Sequence, residues 1–151
     1  MPLATLPSPF GGIGLVEREG AIVQVIWTER QEAASTPLLA RAVQQMQAYI
    51  DGTLREFDLP LAPEGGPFQQ AVLKALQAIP YGQTRSYGEL AQDLGTYGQP
   101  VGAACGANPI PIIIPCHRVL SAQGLGGFSA RGGVETKIAL LKHEGGYPFL
   151  L

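Results

Sequence analysis

Charge is scarce in this 151-residue chain: 15% of its residues are Asp, Glu, Lys or Arg, and the formal net charge is −2. Non-specific nucleic-acid affinity comes largely from phosphate neutralisation by Lys and Arg, so this balance argues mildly against a nucleic-acid binder without excluding one. A local patch, or backbone amides at helix N-termini, would have to do the gripping instead. Cysteine is scarcer still; two in the chain exclude a disulfide framework. No charged segment followed by an apolar stretch marks a secretory leader, and no apolar run reaches the ~20 residues of a membrane span. Internal repeats and low-complexity tracts are absent too. The expectation is a soluble protein of a reducing compartment, a setting that preserves a nucleophilic thiol.

What is present is ordinarily globular, 46% hydrophobic, and long enough for one good core or two small ones. Residues 1–12, rich in Pro and Gly, read as an irregular lead-in. Gly12–Glu17 and Ala21–Trp27 flank a glycine-bearing turn and predict a hairpin. Ser35 or Thr36 can cap a helix with Pro37 in its first turn, carrying Leu39, Ala42, Val43, Met46, Tyr49 and Ile50 at helical spacing. Phe57–Leu61 reads as a last strand. The composition of Pro63–Gly66 is that of a linker, so residues 1–62 form one domain and 67–151 a second.

In the second domain a helix starting at Pro67 places Phe68, Val72, Ala75, Leu76 and Ile79 on one face, and Pro80 stops it. Ser86 and Glu89 have the spacing of a capping box opening a short helix through Leu94. Val101–Gly106 suits a second short helix, and the pair has the outline of a helix-turn-helix. Ser121–Ser129 is glycine-rich and can form a wing-like loop or a plain surface turn. A final helix bears Val134, Ile138, Leu141 and Glu144 and ends at Gly145.

Chemistry concentrates in Asn108-Pro-Ile-Pro-Ile-Ile-Ile-Pro-Cys-His-Arg-Val-Leu120. Three prolines deny this apolar run a central strand's hydrogen bonds, so it reads as a rigid buried segment ending at Cys116. A buried cysteine is usually an inert small hydrophobe. His117, next along, is a base that could take its proton. Neighbours on an extended chain point to opposite faces, so the pair needs a local turn or a bridging water, and a third group to orient the imidazole.

Pro115-Cys116-His117-Arg118-Val119, led by Asn108–Ile114, resembles the active-site signature of the O6-alkylguanine-DNA alkyltransferases, and the likeness extends over most of residues 66–146. The resemblance implies an α/β (α+β) fold: a ribonuclease-H-like sheet with one helix, then a winged helix-turn-helix domain. It implies direct-reversal repair, in which the alkyl group of O6-alkylguanine, with O4-alkylthymine a second candidate, passes irreversibly to Cys116 after the base is flipped out. In that scheme His117 is the general base acting through water, Glu144 orients it, and Tyr87 contacts the flipped base and helps guanine leave. Asn108 braces the Cys segment; Val119, Ser129 and Pro111 line the pocket. The DNA-contacting set is Gln99, Pro100, Val101, Gly102, Ala103 and Arg118, with a structural ion pair the preferred role for Arg118. No metal or other cofactor is required. The partner is double-stranded DNA containing alkylated guanine, bound by a monomer in the cytoplasm, at the nucleoid or nuclear DNA.

Two positions depart from the family pattern. Gln99 stands where the family carries an arginine that fills the gap left by the flipped base, and Phe128 where tyrosine is common. Weaker DNA affinity follows, or a different intercalating residue such as Tyr97. The alternative is a non-transferring, alkyltransferase-like lesion sensor, against which Cys116 itself argues. A thiol hydrolase is disfavoured by the adjacency of Cys116 and His117 and the lack of a recognisable oxyanion loop. A zinc site through Cys105, Cys116 and His117 matches no common ligand spacing.

Overall fold

The structure, a computed structural model, describes residues 1–121, 124–126 and 132–147. It is a mixed α/β (α+β) chain of two compact units, Met1–Glu64 with Pro109–Pro111, and Gly65–Asn108 with Ile112–Leu151.

The first unit is an antiparallel sheet in the order β1 (Leu3–Leu6), β2 (Ile13–Arg18), β3 (Ala21–Trp27). The expected hairpin forms, and its two-residue turn, Glu19-Gly20, places both residues at positive φ, which matches the twist of the flanking strands. The irregular lead-in does not survive: Leu3–Leu6 is a strand, paired residue by residue with Ile13–Val16. Its reading failed because Pro and Gly crowd the flanking positions, while the strand's alternating burial spans four residues. Phe57–Leu61 is likewise no strand; Leu61 makes one parallel bridge to Ile22. The cause is local: Pro60 has no N–H to offer a ladder, and only its carbonyl bonds, accepting from the Ile22 N–H.

Helix α1 (Pro37–Ile50) starts as expected, with Thr36 accepting from the Leu39 N–H and Pro37 in the first turn. It packs on β1 and β2 and buries Leu39, Ala42, Met46 and Tyr49. Each large side chain so buried is worth about 1.5–3 kcal/mol.

In the second unit α2 (Pro67–Gln77) buries Val72, Leu73 and Leu76, while Phe68 stays largely exposed. A two-residue strand β4 (Arg85–Ser86) leads into α3 (Tyr87–Leu94), whose capping box is complete: Ser86 accepts from Glu89 N–H and Glu89 accepts from Ser86 N–H. A short turn then gives α4 (Gly98–Gly106), so the second helix of the expected pair starts earlier than Val101 and includes Gln99 and Pro100. Helices α2, α3 and α4 pack on one another, burying Leu90, Ala91, Val101, Ala104 and Cys105. Strand β5 (Val119–Leu120) pairs in parallel with β4, and α5 (Val134–His143) closes the unit. The buried side of α5 is Thr136, Lys137, Leu140 and Leu141, rotated from the expected face: Val134 is exposed and Ile138 half-buried. Of the wing, Ser121 bridges Gly124; Phe128 and Ser129 lie outside the described residues.

Candidate active site

The proline-broken run does what its composition implies. Ile110, Ile112, Ile113 and Ile114 are buried without forming a strand. The Asn108 amide donates to the Ile114 carbonyl at 2.8 Å and so clamps the turn that spans both unit boundaries in sequence. Ile112 holds φ at 70°, a left-handed conformation costly for a β-branched residue and tolerated where neighbours over-determine the backbone. Pro115, at φ −82° and ψ 66°, is the centre of an inverse γ-turn closed by Cys116 N–H to the Ile114 carbonyl, 2.8 Å.

Cys116–Arg118 then forms one turn of 3₁₀ helix. With three residues per turn, successive side chains diverge by a third of a revolution instead of pointing to opposite faces. This is the local turn that the Cys–His adjacency demands. Cys116 is buried, and burial pushes its thiol above the ordinary range; the Asn108 side chain and the charge of Lys137 pull the other way.

His117 is fully buried, and burial holds it below the usual histidine value against the opposing pull of Glu144. Its Nε2 lies 2.8 Å from Glu144 Oε2. Glu144, capping the C-terminus of α5, also accepts from Arg118 on both oxygens: Nε to Oε1 at 2.8 Å and Nη2 to Oε2 at 3.0 Å. A carboxylate held by a guanidinium accepts hydrogen bonds, so Nε2 carries the imidazole proton and Nδ1 is a lone-pair acceptor. Among the described residues no protein group bonds that Nδ1. Backbone packs closely beside Glu144: a Cβ on Gly82 would lie 3.1 Å from the Glu144 carbonyl oxygen, and one on Gly146 2.9 Å from the Gly82 carbonyl oxygen.

Arg118 is buried, and its remaining nitrogen Nη1 donates to the Ile79 carbonyl at 2.7 Å. The ion-pair expectation describes its geometry; a place in the DNA-contacting set does not, because the guanidinium is consumed internally. Tyr87 opens α3 half-buried, and burial raises its phenol to about 12, so at neutral pH it keeps its proton and can donate. Val119 begins β5, fully buried, and Pro111 is half-buried within the first unit. Along α4, Gln99 and Ala103 are exposed and Pro100 and Gly102 half-buried, whereas Val101 points into the core and has no side-chain surface to offer.

One residue escaped the sequence reading. Lys137 is fully buried, donating to the Val119 carbonyl at 2.6 Å and to the Leu125 carbonyl. Its ammonium stands 5.8 Å from the Tyr87 ring centre, and burial lowers it to about 8. Gly126 closes the same corner: at φ 74°, a Cβ there would meet Tyr87 Cε2 at 3.0 Å and its hydroxyl at 3.2 Å. The available signal was position, since Lys137 shares a helix face with Leu140 and Leu141. Cys105 lies buried in α4 and its thiol is raised to about 12 by desolvation. Among the described residues no group of three or more His, Cys, Asp or Glu could hold a metal ion, and no helix is long and apolar enough to cross a membrane.

The site therefore presents a buried thiol, a neutral imidazole with a free acceptor lone pair, a carboxylate that orients it, and a protonated phenol: the parts for nucleophilic attack with general-base assistance. Residues 67–146 match the family model described as 6-O-methylguanine DNA methyltransferase, DNA binding domain. A methylated-DNA–protein-cysteine methyltransferase of Methanosarcina acetivorans is 40% identical over 156 residues, spanning 96% of this chain and 99% of that protein. One from Mycobacterium tuberculosis is 44% identical over 150 residues, 93% of this chain and 90% of the relative. The crystal structure of the O6-methylguanine methyltransferase of Mycobacterium tuberculosis superposes with a TM-score of 0.84 at 40% identity, covering 99% of this chain and 96% of that one. Mycobacterium tuberculosis OGT in complex with DNA also gives 0.84, at 42% identity and 96% and 93% coverage.

Proposed function

The chain belongs to the O6-methylguanine-DNA methyltransferase family, and from that premise we propose that Cys116 is the alkyl acceptor, served by His117, Glu144 and Tyr87. The protein is a DNA-binding, direct-reversal repair methyltransferase that accepts the group on its own cysteine and acts once. The observation that carries the residue assignment is the buried line Arg118–Glu144–His117, which leaves Nδ1 as the one imidazole atom free to accept a proton.

In the transfer step the Cys116 sulfur attacks the alkyl carbon, forming the S–C bond as the C–O6 bond breaks. The thiol proton passes through a bridging water to His117 Nδ1, and Glu144 stabilises the imidazolium through Nε2. The electron pair of the broken bond stays on guanine, toward which the protonated Tyr87 phenol donates. Because Cys116 is only 7% exposed, a base still stacked in the duplex cannot reach it; flipping is a geometric requirement. Val119 contributes backbone groups to the pocket and Asn108 fixes the Cys segment. Gln99, Pro100, Gly102 and Ala103 form the DNA-facing part of α4. The substrate is duplex DNA carrying O6-alkylguanine, bound by a monomer.

The test is intact mass after mixing with a duplex bearing one O6-methylguanine. Gain of one methylene unit per molecule, stopping at one equivalent and absent in Cys116→Ser, supports the assignment. Lesion-selective binding without mass gain would replace it with the sensor reading.

A further inference from the structure

We infer that Tyr97 is the wedge that enters the duplex and holds open the gap left by the flipped base, a deduction that rests on the alkyl-transfer reading above. Depth sets the requirement. With Cys116 buried, the base must leave the stack entirely, and unstacking leaves the duplex unfavourably open unless a side chain occupies the gap.

The candidates for that role must stand at the rim of the pocket. Tyr87 is the proposed contact of the flipped base, and α4 begins beside it: a Cβ on Gly98 would lie 3.8 Å from the Cβ of Tyr87. Gly98 therefore packs against the root of the Tyr87 side chain, with Tyr97 and Gln99 its neighbours in sequence. Helix α4 carries no charged residue at all, so it cannot hold the opened duplex by ionic grip. Gln99 is exposed but short and uncharged.

Tyr97 is different. It is the N-cap residue of α4, makes no side-chain cap hydrogen bond, and its side chain is 69% exposed. Among the described residues the other large apolar side chains left exposed are Met1, Phe68 and Val134, none of them in α4 or at its N-cap. Its ring stacks on no other aromatic and receives no cation among the described residues. An aromatic ring left bare beside a site that extrudes a base is suited to stack on what remains. Base–aromatic stacking is indifferent to sequence, because every base has a π-face. That fits a repair protein that must act wherever the lesion occurs.

The experiment compares two substrates in single-turnover transfer: O6-methylguanine within a duplex, which must be opened, and the free base, which need not be. Tyr97→Ala should slow transfer from the duplex by about tenfold to a hundredfold and leave transfer from the free base within about twofold. Tyr97→Phe should keep the parent rate on both, since the ring does the work. An equal loss on both substrates, or no loss on either, overturns the proposal, as does a duplex-specific loss in Gln99→Ala with Tyr97→Ala unaffected. A parent protein that transfers from neither substrate fails the underlying reading instead. The position is exposed, so Tyr97→Ala should unfold at the parent temperature.

Discussion

Glu144→Gln would separate what the buried carboxylate does for the fold from what it does for the chemistry. The replacement keeps the side chain's size and removes one negative charge from a position with no exposed side-chain surface. Three donors converge on Glu144: His117 Nε2 and Arg118 Nε and Nη2, at 2.8, 2.8 and 3.0 Å. A Gln amide has one acceptor oxygen and an NH2 that must face one of those donors. Breaking a buried pair from one side costs about 3–5 kcal/mol, because the stranded guanidinium keeps its desolvation penalty. For a chain of this size each kcal/mol moves Tm by roughly 2–4 °C, so a fall of about 6–20 °C is expected. The chemistry should suffer separately. Glu144 supports the imidazole's basicity against burial, so its loss weakens the base and should slow transfer on the order of 10²-fold, the lower end of a positioned general base's contribution. Thermal unfolding and single-turnover transfer from a lesion-bearing duplex read the two effects. Adding Arg118→Met should restore much of the stability, since it removes the stranded charge, and none of the rate. A Tm within about 2 °C of the parent, or an unchanged rate in folded protein, would refute this account.

Gly126→Ala should cost about 1–3 kcal/mol by overpacking and slow transfer, because the new methyl meets the Tyr87 ring; unchanged melting and rate would disprove the contact. Stability should fall with acid in a window set by His117. Its folded pKa lies below 6.5, so as pH drops through 6.5 the unfolded chain takes the proton first, and stability present above that pH is lost down to the folded value. Urea midpoints at pH 7.5 and 5.5 should differ in the parent and much less in His117→Asn. Thr36→Ala should remove about 1 kcal/mol through its N-cap bond and leave the transfer rate untouched, a control that ties rate effects to the second unit.

Local devices were legible in the residues because their physics is local. The Ser86–Glu89 box, the Thr36-Pro37 start and the Glu19-Gly20 hairpin each lie within four residues. The adjacency of Cys116 and His117 was readable as a need for a local turn or a bridging water; the chain makes a 3₁₀ turn there, and His117 Nδ1 still has no protein partner among the described residues. Features that depend on distant partners were not legible. Leu3–Leu6 is a strand because β2 lies beside it, and nothing in its composition announces that. Lys137 was not singled out, because the carbonyls that hold it, from Val119 and Leu125, are 18 and 12 residues away. An ion pair was the preferred role for Arg118, but its partner, Glu144, is 26 residues away and adjacency could not name it. The early start of α4 was hidden by Gly98 and Pro100, although Pro is well tolerated in a helix's first turn.

The depth of Cys116 bears also on how long an unused molecule stays fit for service. A cysteine oxidises as its thiolate, in proportion to exposure, climbing from sulfenic to irreversible sulfinic and sulfonic acids. Here the thiol is 7% exposed and held protonated by burial, so dissolved peroxide meets neither the anion nor an open approach. In the proposed mechanism attack becomes easy only when a flipped base reaches the sulfur and the proton has somewhere to go. A protein that spends its sulfur once gains by keeping it inert in storage, and the same burial that forces the base out of the helix provides that shelf life.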